Sequence, residues 1–352
     1  MTRARDLADA ADKDFSGTVT VDNITIGGNI SQDSGTVKLD GNYPTGTANV
    51  ALGNATLDSL TDGGYNTAIG TVALTANTSG VANTGVGYGA LDANTTANYN
   101  VAIGYDAIGV NTTGTALVGI GAFVLDANTT ASNNTAVGYA ALSANTTGAH
   151  NTGMGYAALF ANTTASNCVA IGYQALTANT TGQQNTAVGQ NAADAITTGG
   201  INTALGTHAL GQTTTGNYNV AIGSDALTSN TTASNNTAVG YRALGVNTTG
   251  DRHVAVGDSA LQSNTTGSDN IAVGPSCMAS NTTGNSNTAV GRRALDANTT
   301  GGANTALGHD ALGANTTAAD NTSVGYNSLV ANTTGASNTA VGSGALNANT
   351  TA

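Results

Sequence analysis

The sequence predicts an all-β fold: a parallel β-roll, or β-solenoid, of eighteen 17-residue coils. Three observations predict it. A glycine recurs every 17 residues from Gly53 to Gly342, eighteen times, without an inserted or deleted residue. A loop tolerates drift in length, whereas a coil stacked on identical neighbours loses register with both when one residue is added. The residue types around that glycine are also fixed, and they do not recur at helical spacing. Finally, every unit carries Gly, Asn and Thr, all poor in a helix interior.

Residues 1–44 differ from the repeat and are predicted to form an adaptor. Ala4, Leu7, Ala8, Ala11 and Phe15 fall on one helical stripe, which reads either as a short helix that needs a partner or as a charged tail. Val19, Val21, Ile24 and Ile26 then alternate with polar residues between glycines, as short strands do. Pro44 marks the entrance to the solenoid shaft, residues 45–352.

Within a coil, the glycine is taken as position 0. Position −3 is Thr, Val or Ile, position −2 is Ala, Gly or Ser, and position −1 is aliphatic, as in Thr135-Ala136-Val137 before Gly138. This alternation predicts a short strand with its large residues on one face and its small ones on the other. Position +4 is Leu in fifteen copies, with Ile108, Ala193 and Met278 as exceptions, and it predicts a second short strand. Asn follows at +7 in fifteen copies, usually in Asn-Thr-Thr-Gly or Asn-Thr-Thr-Ala, and predicts a corner in which Asn and Gly take left-handed conformations.

A core of about two large aliphatic side chains per coil is thin for a lone chain. The columns of small residues at −2 and 0 would let a second backbone approach closely. Ala102, Gly104, Ala136, Gly138, Ala170, Gly172, Ala238 and Gly240 are therefore candidates for packing between chains, and a homotrimeric rod is the expected assembly. The alternative is that these columns only pack coil on coil. Tyr139, Tyr156 and Tyr173, at +1 of three successive coils, form a candidate ladder for stacking on glycan rings; packing on one another is the competing reading.

Composition excludes several functions. Charged residues make up 8% and the net charge is −12, so solubility rests on Asn, Thr and Ser. Four of the eight basic residues lie in the first 40, and no nucleic-acid partner is expected. Cys168 and Cys277 are a little over six coils apart, roughly 30 Å at about 4.8 Å per coil, and cannot form a disulfide within one chain. His150, His208, His253 and His309 fall in different columns, so neither a metal site nor a catalytic grouping can be placed; no cofactor and no enzymatic activity are expected. The Asn-Thr-Thr runs match a glycosylation acceptor but are explained by turn chemistry. No apolar run suits a signal peptide or a membrane helix, so no membrane insertion is expected.

The units Asn100-Val101-Ala102-Ile103-Gly104 and Asn134-Thr135-Ala136-Val137-Gly138 resemble the head repeat of trimeric autotransporter adhesins. That resemblance covers roughly residues 45–352 and implies a left-handed parallel β-roll with three chains to a rod. The segments Thr2-Arg3-Ala4-Arg5-Asp6 and Lys13-Asp14-Phe15-Ser16-Gly17 look like the starts of tail fibre proteins of marine bacteriophages, which carry similar repeats. This second resemblance implies a virion appendage assembled in the host cytoplasm. Its N-terminal end would dock to a tail or baseplate protein, its C-terminal end would meet a capping or receptor-binding protein, and host-surface glycan would be the target. A cell-surface adhesin and an ice-binding solenoid are the alternative readings.

Overall fold

The computed structural model describes residues 47–351. The helix and short strands expected within residues 1–44 lie outside the described residues.

Eighteen strands of three residues each, β1 (Val50–Leu52) to β18 (Thr339–Val341), occupy positions −3 to −1 of the successive coils. Each pairs in parallel with the strand one coil further on, giving one 18-stranded sheet. The register is the repeat itself, as where Thr135, Ala136 and Val137 face Thr152, Gly153 and Met154. The fold is thus the expected parallel β-solenoid.

The glycine at 0 ends each strand because no other residue fits there. At Gly138 φ is +121°, and a Cβ would lie 2.5 Å from the carbonyl oxygen of Gly155. The chain turns here by pressing one coil's backbone onto the next.

The segment after the glycine corrects one expectation. It is not a second strand but a run of tight turns with left-handed residues at +2 and +4, such as Ala140 at φ 54° and Leu142 at φ 52°. The hydrogen-bond ladder nevertheless continues: Ala140 N–H donates to the Ala122 carbonyl at 3.0 Å and Leu142 N–H to that of Ala158 at 2.9 Å. A left-handed non-glycine residue costs about 1–2 kcal/mol. Burying a leucine returns about 1.5–3 kcal/mol, which offsets the strain at +4, where Leu142 is fully buried.

A second correction concerns the Asn-Thr-Thr corner. None of Asn145, Thr146, Thr147 and Gly148 has a positive φ; the left-handed residue on that side is His150, at −5 of the next coil. Side-chain hydrogen bonds hold this corner, as described below.

The third correction concerns the faces of the strand. The small residue at −2 points inward and the large residues at −3 and −1 point outward: Ala136 is fully buried, while Thr135 and Val137 are only half-buried. In most coils the interior holds one large side chain, the residue at +4, so the inward strand position must be small. Packing within single coils bears this out. Where position +3 enlarges to Val124, position −2 of that coil shrinks to Gly119, whose added Cβ would meet Val124 Cγ2 at 2.9 Å. Where +3 is Ser328, position −2 is Ser323, and the Ser323 hydroxyl reaches the Ser328 carbonyl at 2.8 Å.

Candidate functional site

The small-residue columns do not lie on an outer surface. Ala102, Ala136, Ala170 and Ala238 are completely buried inside their own coils. At Gly104, Gly138, Gly172 and Gly240 the closest backbone is that of the next coil of the same chain, with added Cβ atoms falling 2.3–2.5 Å from its carbonyl oxygens. The close approach these residues permit is coil on coil. What faces outward instead is the aliphatic residue at −1, including Ile103, Met154, Ile171 and Leu205, the last 45% exposed. No charged residue occurs between positions −4 and 0 in any of the eighteen coils.

Two buried asparagine columns hold the stack together. The column at +7 is the one expected at a corner, and where an asparagine precedes it one coil back its side chain reaches both its own coil and the previous one. Asn145 Nδ2 donates to the Gly148 carbonyl at 3.0 Å and to Asn128 Oδ1 at 2.9 Å. The column at −4 escaped the sequence reading, although its recurrence at Asn66, Asn83, Asn100, Asn134 and Asn151 is plain. There Oδ1 accepts the backbone N–H one coil on, as at Asn134 to Asn151 at 2.8 Å, and Nδ2 donates to the carbonyl of Gly148 at 2.8 Å. Both columns meet on that one carbonyl. The +7 side chain is buried and engaged, so it serves as a structural bond rather than a modification acceptor. Beside it, the threonine hydroxyl at +8 donates to the next coil's carbonyl, as from Thr146 to Thr163 at 3.0 Å.

The −4 column is interrupted three times among the described residues, by Leu117, Cys168 and His253. His253 reproduces both asparagine bonds. Its Nδ1 accepts the Asn270 N–H at 3.2 Å, and its Nε2 lies 2.6 Å from the Gly267 carbonyl, which it must meet as a donor. This pattern fixes a neutral imidazole with its proton on Nε2. Burial lowers its pKa, against the raising effect of those hydrogen bonds and of Asp269 and Asp251. Cys168 sends its thiol to the Gly182 carbonyl at 3.3 Å, and burial raises its pKa. Cys277 packs at +3 and burial pushes it up to about 12. Neither is a reactive thiolate.

The structure brings Tyr139, Tyr156 and Tyr173 together. Their ring centroids are 5.5 and 5.2 Å apart and the planes nearly parallel, at 10° and 11°. The ladder extends beyond the sequence reading to Tyr88, Tyr105 and Phe123, making six consecutive coils. Phe123 belongs to position +2, where the left-handed backbone carries its ring across to fill the gap left by Ala122 at +1. Ring faces that would meet a sugar lie against neighbouring rings, so the arrangement favours packing within the ladder.

Charge is sparse and uneven. Between Lys38 and Arg242 the chain has no lysine or arginine. Burial, and then the nearby charge of Asp106, raise the pKa of Asp92 and Asp126 in that stretch. Further along, Arg252 pairs with Asp269 in the next coil through two bonds of 2.7 and 2.9 Å, which hold Asp269 below the usual carboxylate range. Among the described residues, no cluster of three or more His, Cys, Asp or Glu could hold a metal ion. No helix among them is long and apolar enough to cross a membrane. No protein family, curated protein or solved structure matches the chain.

Proposed function

We propose that this chain is a non-enzymatic structural shaft, a tail-fibre-like virion appendage for attachment to a host surface, built as a homotrimer. The observation that carries this reading is the outward face of the sheet. Its −3 and −1 columns form an uncharged stripe of Thr, Val, Ile, Leu and Met through all eighteen strands. At about 4.8 Å per coil and about 10 Å per three-residue strand, the stripe offers roughly 850 Å², close to one partner's share of a standard stable interface. A surface that repeats every coil over this length is complemented best by another copy of itself. The seam of the trimer therefore moves from the small-residue columns to the aliphatic ones.

Light scattering tests the assembly. The mass expected is three times 34.2 kDa, and the substitutions Ile103→Lys and Val239→Lys together should release folded single chains. A wild-type chain that stays monomeric and folded would remove the seam. The polarity of the appendage is tested by deleting residues 1–44, which should abolish incorporation into particles while leaving the rod assembled.

One observation favours a second reading. Eleven of the eighteen strands begin with an outward Thr followed, two residues on, by an outward aliphatic side chain, a regular array of the kind an ice surface could meet. Thermal hysteresis in a solution of the purified protein would support this; its absence would dismiss it.

A further inference from the structure

The tyrosine ladder spends its ring faces on itself, so a glycan would have to be met elsewhere on the shaft. We propose that a cleft opened by Gly245 is a saccharide-binding site for a neutral hexose unit bearing vicinal hydroxyls. This rests on the attachment reading above and adds a site to it.

The cleft has a simple origin in the repeat. In the +5 column Gly245 stands between Thr228 and Gln262, so a side chain is missing between two filled positions. Gly109, in the same column, also meets only backbone, but it stands between Asp92 and Asp126 with no basic or amide side chain beside it, whereas at two other glycines a neighbouring side chain leans in. At Gly211 the Thr228 hydroxyl comes within 3.4 Å of where a Cβ would be, and at Gly313 a Val330 methyl comes within 3.7 Å. At Gly245 the three nearest atoms all belong to Arg242 of its own coil. The resulting cleft measures about 360 Å³ and is lined by Asp225, Arg242, Thr228, Ser229, Val246 and Gln262 along with the glycine. That volume lies at the lower end of the ~300–1,000 Å³ range of small-molecule sites.

The lining selects the ligand class. The carboxylate of Asp225, the guanidinium of Arg242 and the amide of Gln262 are planar, and each offers two polar atoms side by side. Such groups meet neighbouring hydroxyls of a pyranose two at a time. Arg242 lies over the Tyr241 ring, 5.0 Å from its centroid, and forms no ion pair among the described residues. Asp225 has His208 nearby at 3.7 Å and accepts the Ser224 hydroxyl at 3.4 Å, and no arginine pairs with it. One negative and one positive group thus line the cleft without neutralising each other. An anion would be opposed by Asp225 and a cation by Arg242, whereas a polyol uses both as acceptor and donor. Val246, 44% exposed, supplies the apolar patch that the C–H face of a sugar needs.

The test uses the full-length protein and saturation-transfer NMR with four probes: methyl α-glucoside, methyl β-galactoside, methyl α-mannoside and methyl N-acetyl-β-glucosaminide. Transfer to at least one probe is expected. It should vanish in Gly245→Phe, which fills the cleft with a side chain the fold already accepts at the equivalent Phe160. Asp225→Asn and Arg242→Gln should each weaken binding roughly tenfold, the loss of one charge-assisted contact. Thermal unfolding of Gly245→Phe should match the wild type, which separates a filled cleft from a broken coil. No transfer to any of the four probes, or transfer unchanged in Gly245→Phe, overturns the site. Either result leaves the shaft and its trimer standing, because those are judged by mass and particle incorporation.

Discussion

The two sides of every coil solve the same packing problem in opposite ways. On the strand side the backbone is extended, its inward residue is tiny and its large side chains face out, as in Thr135-Ala136-Val137. On the opposite side the backbone alternates into left-handed turns, and the large side chain of Leu142 goes in. Each coil therefore has one wall of backbone and alanine facing one wall of leucine. The difference shows that outward aliphatic residues in such a solenoid need not signal a misfolded core. They are surplus to an interior already filled from the other wall.

Substitutions on the two walls sharpen this comparison. The largest effect is expected at the strand end. Gly138→Ala would place a Cβ 2.5 Å from the Gly155 carbonyl oxygen and should cost upwards of about 3 kcal/mol, read as a lower midpoint in denaturant. On the opposite wall, Leu142→Ala should cost about 2–5 kcal/mol by leaving a cavity. If Leu142→Ala proved nearly neutral, the interior would be held by the backbone alone and the two walls would not be complementary.

The corner between the walls is the next test. Asn145→Ala removes donors to Gly148 and Asn128 and the acceptor for Asn162 Nδ2 at 2.7 Å. A cost of about 1–3 kcal/mol is expected for each buried group left unsatisfied. Thr146→Val, at the very next residue, removes a single half-buried bond and should cost only about 0.5–1.5 kcal/mol. Equal effects would mean that the two ladders are not distinct in weight.

The smallest effect is conditional on pH and concerns His253. Its folded-state pKa is lowered by burial, so above the unfolded-state value of about 6.5 both states are neutral and its contribution is complete. As pH falls below that value the unfolded chain takes up a proton that the folded coil resists, and stability falls. A proton on Nδ1 would also confront the Asn270 N–H that now donates to it. His253→Asn restores the column and should narrow the difference in melting temperature between pH 7 and pH 5. An unchanged difference would place the acid sensitivity elsewhere.

Much of this was legible in the sequence. The 17-residue spacing from Gly53 to Gly342 specified parallel coils and their register, because a chain stacked on itself admits no length variation. The fixed smallness of position −2 and the fixed Leu at +4 identified which positions are constrained. They did not say which of them face inward, since a strand of alternating large and small residues fits either way round. That choice belongs to the opposite wall. Only when Leu142 and its equivalents are seen to enter from left-handed turns does the interior have no room for Val137. Nothing in the composition announces such turns at leucine or alanine, which rarely adopt them alone; the stacked hydrogen bonds of neighbouring coils impose them. The same holds for the cleft at Gly245, which appears only when residues 17 apart become neighbours and one of them lacks a side chain. The repeat fixed what stacks on what, and tertiary packing decided which face is the surface.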